Sequence, residues 1–380
     1  MKRYTHTFIY GFAIFSMFFG SGNLVFPLQI GQNSGKYWLL GFLGLFITGI
    51  LLPFLGLFVI KLHRGSYNAF FAEAGSLARF ILPLFTLSLL GSFGVVPRCI
   101  TVAHGGIEYI FPEISLGIFS FFFCIACFFI CIKEHFMITV LGKWMTPLLL
   151  ACLAVLIWLG TTHAPLLTAP SLTPVKAFQN GFLIGYLPMD LFAAFFFSAL
   201  IFNQIQSKLR ITSDKDVLKE ALKPSLIGSF LLGLIYLGFV YLGAHYQFLT
   251  SGVSPELILP TIASYLMGRN AVFLIGIIVV FSCLTTAVAL NNIYAHYLCS
   301  VFNLKKDKFL WVLFLTTALS FIISLMDFRG IAAILSPILE VSYPSIILLT
   351  LLSIFLKGNK KVKIGLFYGM LILSLVWNLF

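Results

Sequence analysis

The chain has 380 residues, 60% of them apolar and only 9% charged, against about 25% charged in an ordinary soluble domain. With a mean hydropathy of +1.04 it cannot be a soluble globular protein, because a chain of this size has no interior able to hide so much apolar surface. The formal net charge of +12 is spread over several short polar segments, so attraction to anionic lipid accounts for it and a nucleic-acid partner is unnecessary.

The apolar runs are continuous and about 20 residues long, the length of a spanning helix. Barrel strands would alternate and need only about 10 residues. The first run follows Lys2 and Arg3 and resembles a signal peptide, but it is too long, lacks a small-residue cleavage site and precedes many more spans. It reads as a retained first helix. Spans are predicted near 8–31, 38–61, 80–103, 113–132, 144–161, 174–206, 224–247, 270–300, 309–326, 331–356 and 363–380. This is an all-α polytopic membrane protein of about eleven transmembrane helices, in one integral-membrane domain covering 1–380. The longest connections on the outer side are 162–173 and 248–269, and "SPELILPTIASYLMG" in the second reads as a short helix over the outer face. All seven cysteines fall in apolar runs, so no disulfide is expected. Cys124, Cys127 and Cys131 share a helical face and read as small lipid- or core-facing residues.

Alternating the connections between two sides puts 19 of the 24 basic residues on the side of the N-terminus. The other five are Lys36, Arg98, Lys176, Arg269 and Arg329. This asymmetry predicts an N-terminus inside the cell and, after eleven spans, a C-terminus outside.

Two spans carry polar interruptions at mid-depth. In "SMFFGSGNLVFP" the run Gly20, Ser21, Gly22, Asn23 lies about 12 residues into span one, or about 18 Å at 1.5 Å per residue, close to the bilayer midplane. In span six, Thr173 and Pro174 form a helix start, and Gly185, Tyr186, Leu187, Pro188, Met189 and Asp190 follow about a dozen residues on. Glycine, proline and an acid within six residues predict an unwound middle, with Asp190 able to cap the second half-helix. Backbone freed in hydrocarbon is tolerated only where protein or a wet cavity satisfies it. Paired breaks in spans of opposite direction point to inverted repeats of five helices, about 8–161 and 174–356, plus an extra helix at 363–380. The half-helix starting at Asn23 suits a carboxylate, and the carbonyls ending near Phe19 suit a small cation. Together the breaks can hold an amino acid and its coupling ion. In span eight, Ser282, Thr285 and Thr286 fall on one face as hard oxygen ligands for Na+. Each hydroxyl taken singly reads first as bonding back to its own helix or joining helices.

"FAIFSMFFGSGNLVFP", "GVVPRC", "GYLPMD", "CLTTAVAL" and "SPILEVSYP" resemble the branched-chain amino acid:cation symporters, the system II carriers of bacteria. The resemblance runs from span one to about span ten. It implies the five-plus-five inverted-repeat amino-acid transporter fold with discontinuous helices 1 and 6. It also implies a bacterial cytoplasmic (inner) membrane location and uptake of leucine, isoleucine and valine by symport with Na+ or H+. No covalent cofactor and no obligate protein partner are implied; the partners are the amino acid, the cation and lipid. Phe18, Ser21 and Gly22 would meet substrate through backbone groups, beside Gly20 and, in the second break, Gly185, Tyr186, Met189 and Asp190. Asn23 would lie at a first cation position, and the Phe19 carbonyl with Ser282, Thr285 and Thr286 at a second. The family has threonine where Pro188 and Cys99 stand here, and twelve spans where eleven are read. Another apolar substrate such as methionine is the alternative. A membrane-embedded enzyme is the more distant rival, disfavoured by few and dispersed acids.

Asp190 reads equally as a functional intramembrane acid, pairing with substrate ammonium, and as a helix cap. Glu340 reads first as a partner for Arg98 or Arg329, second as a gate or proton carrier. Arg98 reads first as a snorkelling or paired charge, second as a substrate contact. His104 and His296 read as interfacial, and Asn291 and Asn292 as bonding to neighbouring helices. Phe18, Phe19 and Phe195 are candidates to line an apolar pocket.

Overall fold

The structure, a computed structural model, describes residues 2–132, 146–167, 172–209, 214–356 and 358–379. Lys133, Lys143, Arg210 and Lys357, used above for orientation, lie outside the described residues.

Span one is two helices, α1 (Lys2–Phe18) and α2 (Ser21–Ser34). A turn at Gly35–Tyr37 leads into α3 (Trp38–Phe46), a π-bulge at Ile47–Leu51 and α4 (Leu52–Leu62). Ser21–Leu62 is one 42-residue apolar stretch, about 63 Å if straight, twice a bilayer. It is folded back on itself: Gly35 has φ 47, and Gly41 lies against Ile30 and Ser34. The expected loop at 32–37 is therefore a hairpin.

The short helix α5 (Tyr67–Phe71) precedes span three, which is again two helices, α6 (Ser76–Leu90) and α7 (Val95–Glu108). Then come α8 (Leu116–Cys131), α9 (Thr146–Thr162), α10 (Pro174–Ile184) and α11 (Asp190–Leu209), the last two forming span six. Span seven is α12 (Asp214–His245) and span eight is α14 (Arg269–Val301). Between them α13 (Ile258–Met267) buries Ile258, Leu259 and Ile262, the short helix expected in "SPELILPTIASYLMG". The chain closes with α15 (Phe309–Ser324), α16 (Asp327–Phe355) and α17 (Lys360–Leu379). Among the described residues six stretches are long and apolar enough to cross a membrane, and five shorter apolar helices accompany them. The two halves of each broken span, α1 with α2 and α10 with α11, together give its length.

Pairing between spans carries the symmetry. α1 and α2 pack most extensively on α12, while α10 and α11 pack on α3 and α4. Span one on seven and span six on two are equivalent pairs under an exchange of halves. Span three's α7 packs on span eight's α14. Glycines set these contacts at backbone distance. A methyl group at Gly31 would strike the Val240 carbonyl, and one at Gly243 would strike the Leu28 carbonyl. Gly181 sits against the Gly41 carbonyl, and Gly276 against that of Gly106. Small residues permit this approach where lipid supplies no hydrophobic drive between helices. Cys124, Cys127 and Cys131 are buried; the Cys131 Sγ faces the Val288 carbonyl at 3.5 Å. Asn291 donates to Thr317 Oγ1 at 2.8 Å and Asn292 to the Cys131 carbonyl at 3.1 Å, so both join helices.

Candidate functional site

Three helix breaks meet at the centre. In the first, Gly20 is extended (φ −115, ψ −152) between α1 and α2. Asn23 Oδ1 accepts the freed Gly20 N–H at 3.1 Å, so the asparagine three residues on stabilises the unwound turn. In the second, α10 ends at Ile184 and α11 starts at Asp190. Pro188 has no N–H to continue a helix, and Met189 takes φ 61, a left-handed conformation uncommon outside glycine. The third break was not expected. Gly91–Gly94 interrupts span three, and Ser92 Oγ donates to the Thr316 carbonyl at 2.7 Å. The same vocabulary wrote it: two glycines, a serine, and Pro97 soon after. The breaks touch. A Cβ on Gly22 would stand 2.9 Å from Pro188 Cα, and one on Gly94 3.1 Å from Met189 Cε.

Buried carbonyls released by unwinding need donors. At the first break, Ser282 Oγ donates to the Phe19 carbonyl at 2.6 Å, and Thr286 Oγ1 lies 3.5 Å from the Ser16 carbonyl. Thr285 Oγ1 bonds back to the Ser282 carbonyl at 2.7 Å. The structure thus gathers Ser16 O and Phe19 O with the Ser282, Thr285 and Thr286 hydroxyls, a set made only of oxygen. Sequence reading did not include the Ser16 carbonyl; its spacing of three residues before Phe19 on a helix end was the available signal. A cavity of about 190 Å³ adjoins this group, lined by Ser16, Thr146, Leu149, Ile278, Ser282 and Thr285 among others.

At the second break the donors are different. Thr48 Oγ1, on the π-bulge of span two, donates to the Phe182 carbonyl at 3.0 Å. Arg98 Nη1 donates to the Leu187 carbonyl at 2.7 Å. Arg98 is completely buried, and its guanidinium stands 5.5 Å from the Phe26 ring centroid. It is not a snorkelling charge, because it is buried among helices with its head group on the second break instead of reaching outward.

Asp190 does not cap its own helix. Its Oδ2 accepts from Asn23 Nδ2 at 2.8 Å and from the Tyr236 hydroxyl at 2.9 Å, and Asn23 and Tyr236 also contact each other. One carboxylate therefore ties span one, span six and span seven together. Tyr236 was missed, because a lone tyrosine in an apolar span carries no pattern. Around this centre, Phe18 meets Phe197 edge-on at 5.4 Å, and Tyr186 stacks on Tyr343 at 4.7 Å. Gly185 backs onto Thr48. The Phe19 ring turns away to stack on Phe15 at 4.9 Å. Phe195 lies off the site, packed on Phe70 and Phe71 at 4.9 and 5.5 Å, because its side of α11 faces α5. Glu340 accepts from Ser336 at 3.0 Å, and Arg329 reaches the Val253 carbonyl at 3.3 Å, so neither makes the expected ion pair.

An all-helical bundle whose spans one and six unwind at mid-depth, with span pairing exchanged between halves, is an integral membrane transporter and not an enzyme. Its fold is similar to that of Mhp1, a nucleobase-cation-symport-1 family transporter solved with bromovinylhydantoin bound: TM-score 0.62, 15% identity, 98% of this chain and 91% of that one. It is similar also to MhsT in complex with L-phenylalanine, at TM-score 0.60, 16% identity and 97% of each chain. A Na+-coupled sialic acid symporter matches at TM-score 0.63 and 12% identity, over 98% of this chain and 90% of that one. The chain belongs to the branched-chain amino acid transport protein family, which it matches over residues 3–380. Relatives include proteins named by inference as branched-chain amino acid carriers. One from Staphylococcus saprophyticus is 28% identical over 89% of this chain and 79% of its own length. One from Staphylococcus epidermidis is 29% identical over 93% and 84%.

Proposed function

We propose that this protein imports leucine, isoleucine and valine by symport with Na+ or H+. The observation that carries the reading is the oxygen set of Ser16 O, Phe19 O, Ser282 Oγ, Thr285 Oγ1 and Thr286 Oγ1 beside the first break. Hard oxygen ligands suit a small alkali cation, and the negative end of α1 favours it. Asn23 is the second candidate cation ligand. The amino acid sits between Phe18, Gly20, Ser21 and Gly22 on one side and Gly185, Tyr186, Met189 and Asp190 on the other, with Asp190 facing the ammonium group. The Na+-coupled sialic acid symporter, of the same fold, supports coupling to an ion, and MhsT, solved with L-phenylalanine, supports an amino acid as substrate.

Alternating access follows by rocking spans one, two, six and seven, which pack on one another, against the rest. The repeats run about 8–161 and 174–356, and the basic residues place the N-terminus in the cytoplasm of a bacterial cell. Proteoliposomes holding the protein are expected to accumulate labelled leucine under an inward Na+ or H+ gradient, with isoleucine, valine and methionine as competitors. Failure of both gradients to drive uptake of any aliphatic amino acid overturns the reading.

A further inference from the structure

Arg98 carries more hydrogen-bonding capacity than the protein uses. A guanidinium has five N–H donors and is always charged. Nη1 is spent on the Leu187 carbonyl. Nε and Nη2 are buried and have no partner. Among the described residues no carboxylate lies within 4.0 Å of the guanidinium. Asp190, which interacts with it through space, directs its Oδ2 to Asn23 and Tyr236 instead. An unpaired charge at this depth is costly unless it is matched. Holding one carbonyl would need only one donor, so the clamp on Leu187 does not account for the rest of the group.

The unused atoms are not scattered. Nε and Nη2 form one edge of the planar fork, the edge that takes a carboxylate through two parallel hydrogen bonds. Phe26, on which the guanidinium stands, belongs to α2 a little over a turn past its start. The residue after Arg98, Cys99, brings its Sγ to 3.5 Å from Oγ of Ser21, the first residue of α2, so this part of span three lies against the positive end of a half-helix, where anions are favoured. The guanidinium's anchor, Leu187, lies inside the second break, three residues before Asp190.

Resting on the transport reading above, we propose that the Nε–Nη2 edge of Arg98 binds the α-carboxylate of the transported amino acid. The site is zwitterion-shaped: Arg98 takes the carboxylate and Asp190 the ammonium, and the apolar side chain is left to the rings. Specificity for an α-amino acid over an amine of the same shape then resides in span three. The third break is what brings Arg98 to this position.

The test compares leucine with leucinamide, which keeps the ammonium and side chain but has no carboxylate, in equilibrium binding to the purified full chain with saturating Na+ at fixed pH. The intact protein is expected to favour leucine by tenfold or more. In Arg98→Gln leucine is expected to weaken at least tenfold while leucinamide stays within twofold. Equal weakening of both ligands would assign Arg98 to holding Leu187 alone and overturn the proposal, as would unchanged leucine binding. Should Arg98→Gln not fold, Arg98→Lys serves. Its compact ammonium cannot hold the Leu187 carbonyl and a two-point carboxylate together, so leucine again weakens selectively, and an unchanged preference overturns the proposal. If the intact protein binds leucine but the preference ignores Arg98, only this inference fails. If it binds no aliphatic amino acid, the transport reading itself fails.

Discussion

The first and second breaks solve one problem with opposite chemistry. At the first, the freed carbonyls of Phe19 and Ser16 face neutral hydroxyls, Ser282 and Thr286. At the second, the Thr48 hydroxyl takes the Phe182 carbonyl, but the freed Leu187 carbonyl faces a permanent cation, Arg98. A hydroxyl can turn its oxygen toward an ion and so give up its place as donor without leaving. An arginine cannot, since it has no acceptor and never loses its charge in a protein. The comparison teaches that the first break is closed by donors able to turn away, while the second has a positive charge built into the chain.

Breaking the contact between the two breaks has the largest expected effect. Gly22→Val places a branched side chain where Pro188 backbone stands; leucine uptake in proteoliposomes should fall more than a hundredfold. Retention of a tenth of normal uptake would mean that the two breaks do not need this contact. Next come the hydroxyls. Thr285→Ala and Thr286→Ala should each raise the cation concentration for half-maximal uptake about tenfold, roughly the loss of one charge-assisted ligand of about 1.4 kcal/mol. Unchanged ion dependence removes that residue from the site. Thr48→Val is the matched control at the second break. It should cost about 1 kcal/mol of stability through the Phe182 carbonyl and leave the cation requirement within twofold. A shift in cation dependence there would blur the distinction between the breaks.

The smallest effect lies away from both. Glu73, between spans two and three, accepts from Lys363 at 2.6 Å, and from Ser353 and His63. Burial alone would push its carboxyl up, but these donors outweigh burial and hold it below its ordinary 4.5. A lowered folded pKa contributes stability that is present above 4.5 and lost as pH falls through the folded value. The group is a quarter exposed, so Glu73→Gln should cost only about 1 kcal/mol at pH 7, measured by thermal unfolding in detergent. The difference from the unsubstituted protein should shrink as pH drops below 4.5. A difference constant with pH would show that this cluster holds α17 by shape alone.

Both predicted breaks were legible because Gly20–Gly22 and Gly185–Pro188 put helix-breaking residues where no soluble loop can be. The helix in "SPELILPTIASYLMG" and the turn before α3 were legible for the same reason: proline and glycine punctuate an apolar chain strongly. The break at Gly91–Gly94 was not, because glycine and serine also occur in straight membrane helices, and the reading of 80–103 ended span three early. That error moved Arg98 toward a surface and suggested snorkelling. The Asp190 carboxylate crossing to Asn23 and Tyr236 was beyond reach too, since local pattern favours capping and only tertiary packing brings span seven alongside. Thr48 was hidden by the π-bulge, which no residue in "ITGIL" announces.

The glycine contacts have a consequence for speed. Gly31 with Val240, Gly243 with Leu28, and Gly41 with Gly181 interlock backbones, and such surfaces slide only by parting altogether. Span one cannot travel without seven, nor six without two. Between these pairs and the span three–eight pair the described joints include polar ones, Ser282 and Thr286 to span one and Arg98 to span six, beside apolar contacts such as Met189 on Gly94. On the transport reading proposed above, a compound that wedges one of these joints would hold both partners in place and stop the whole clock.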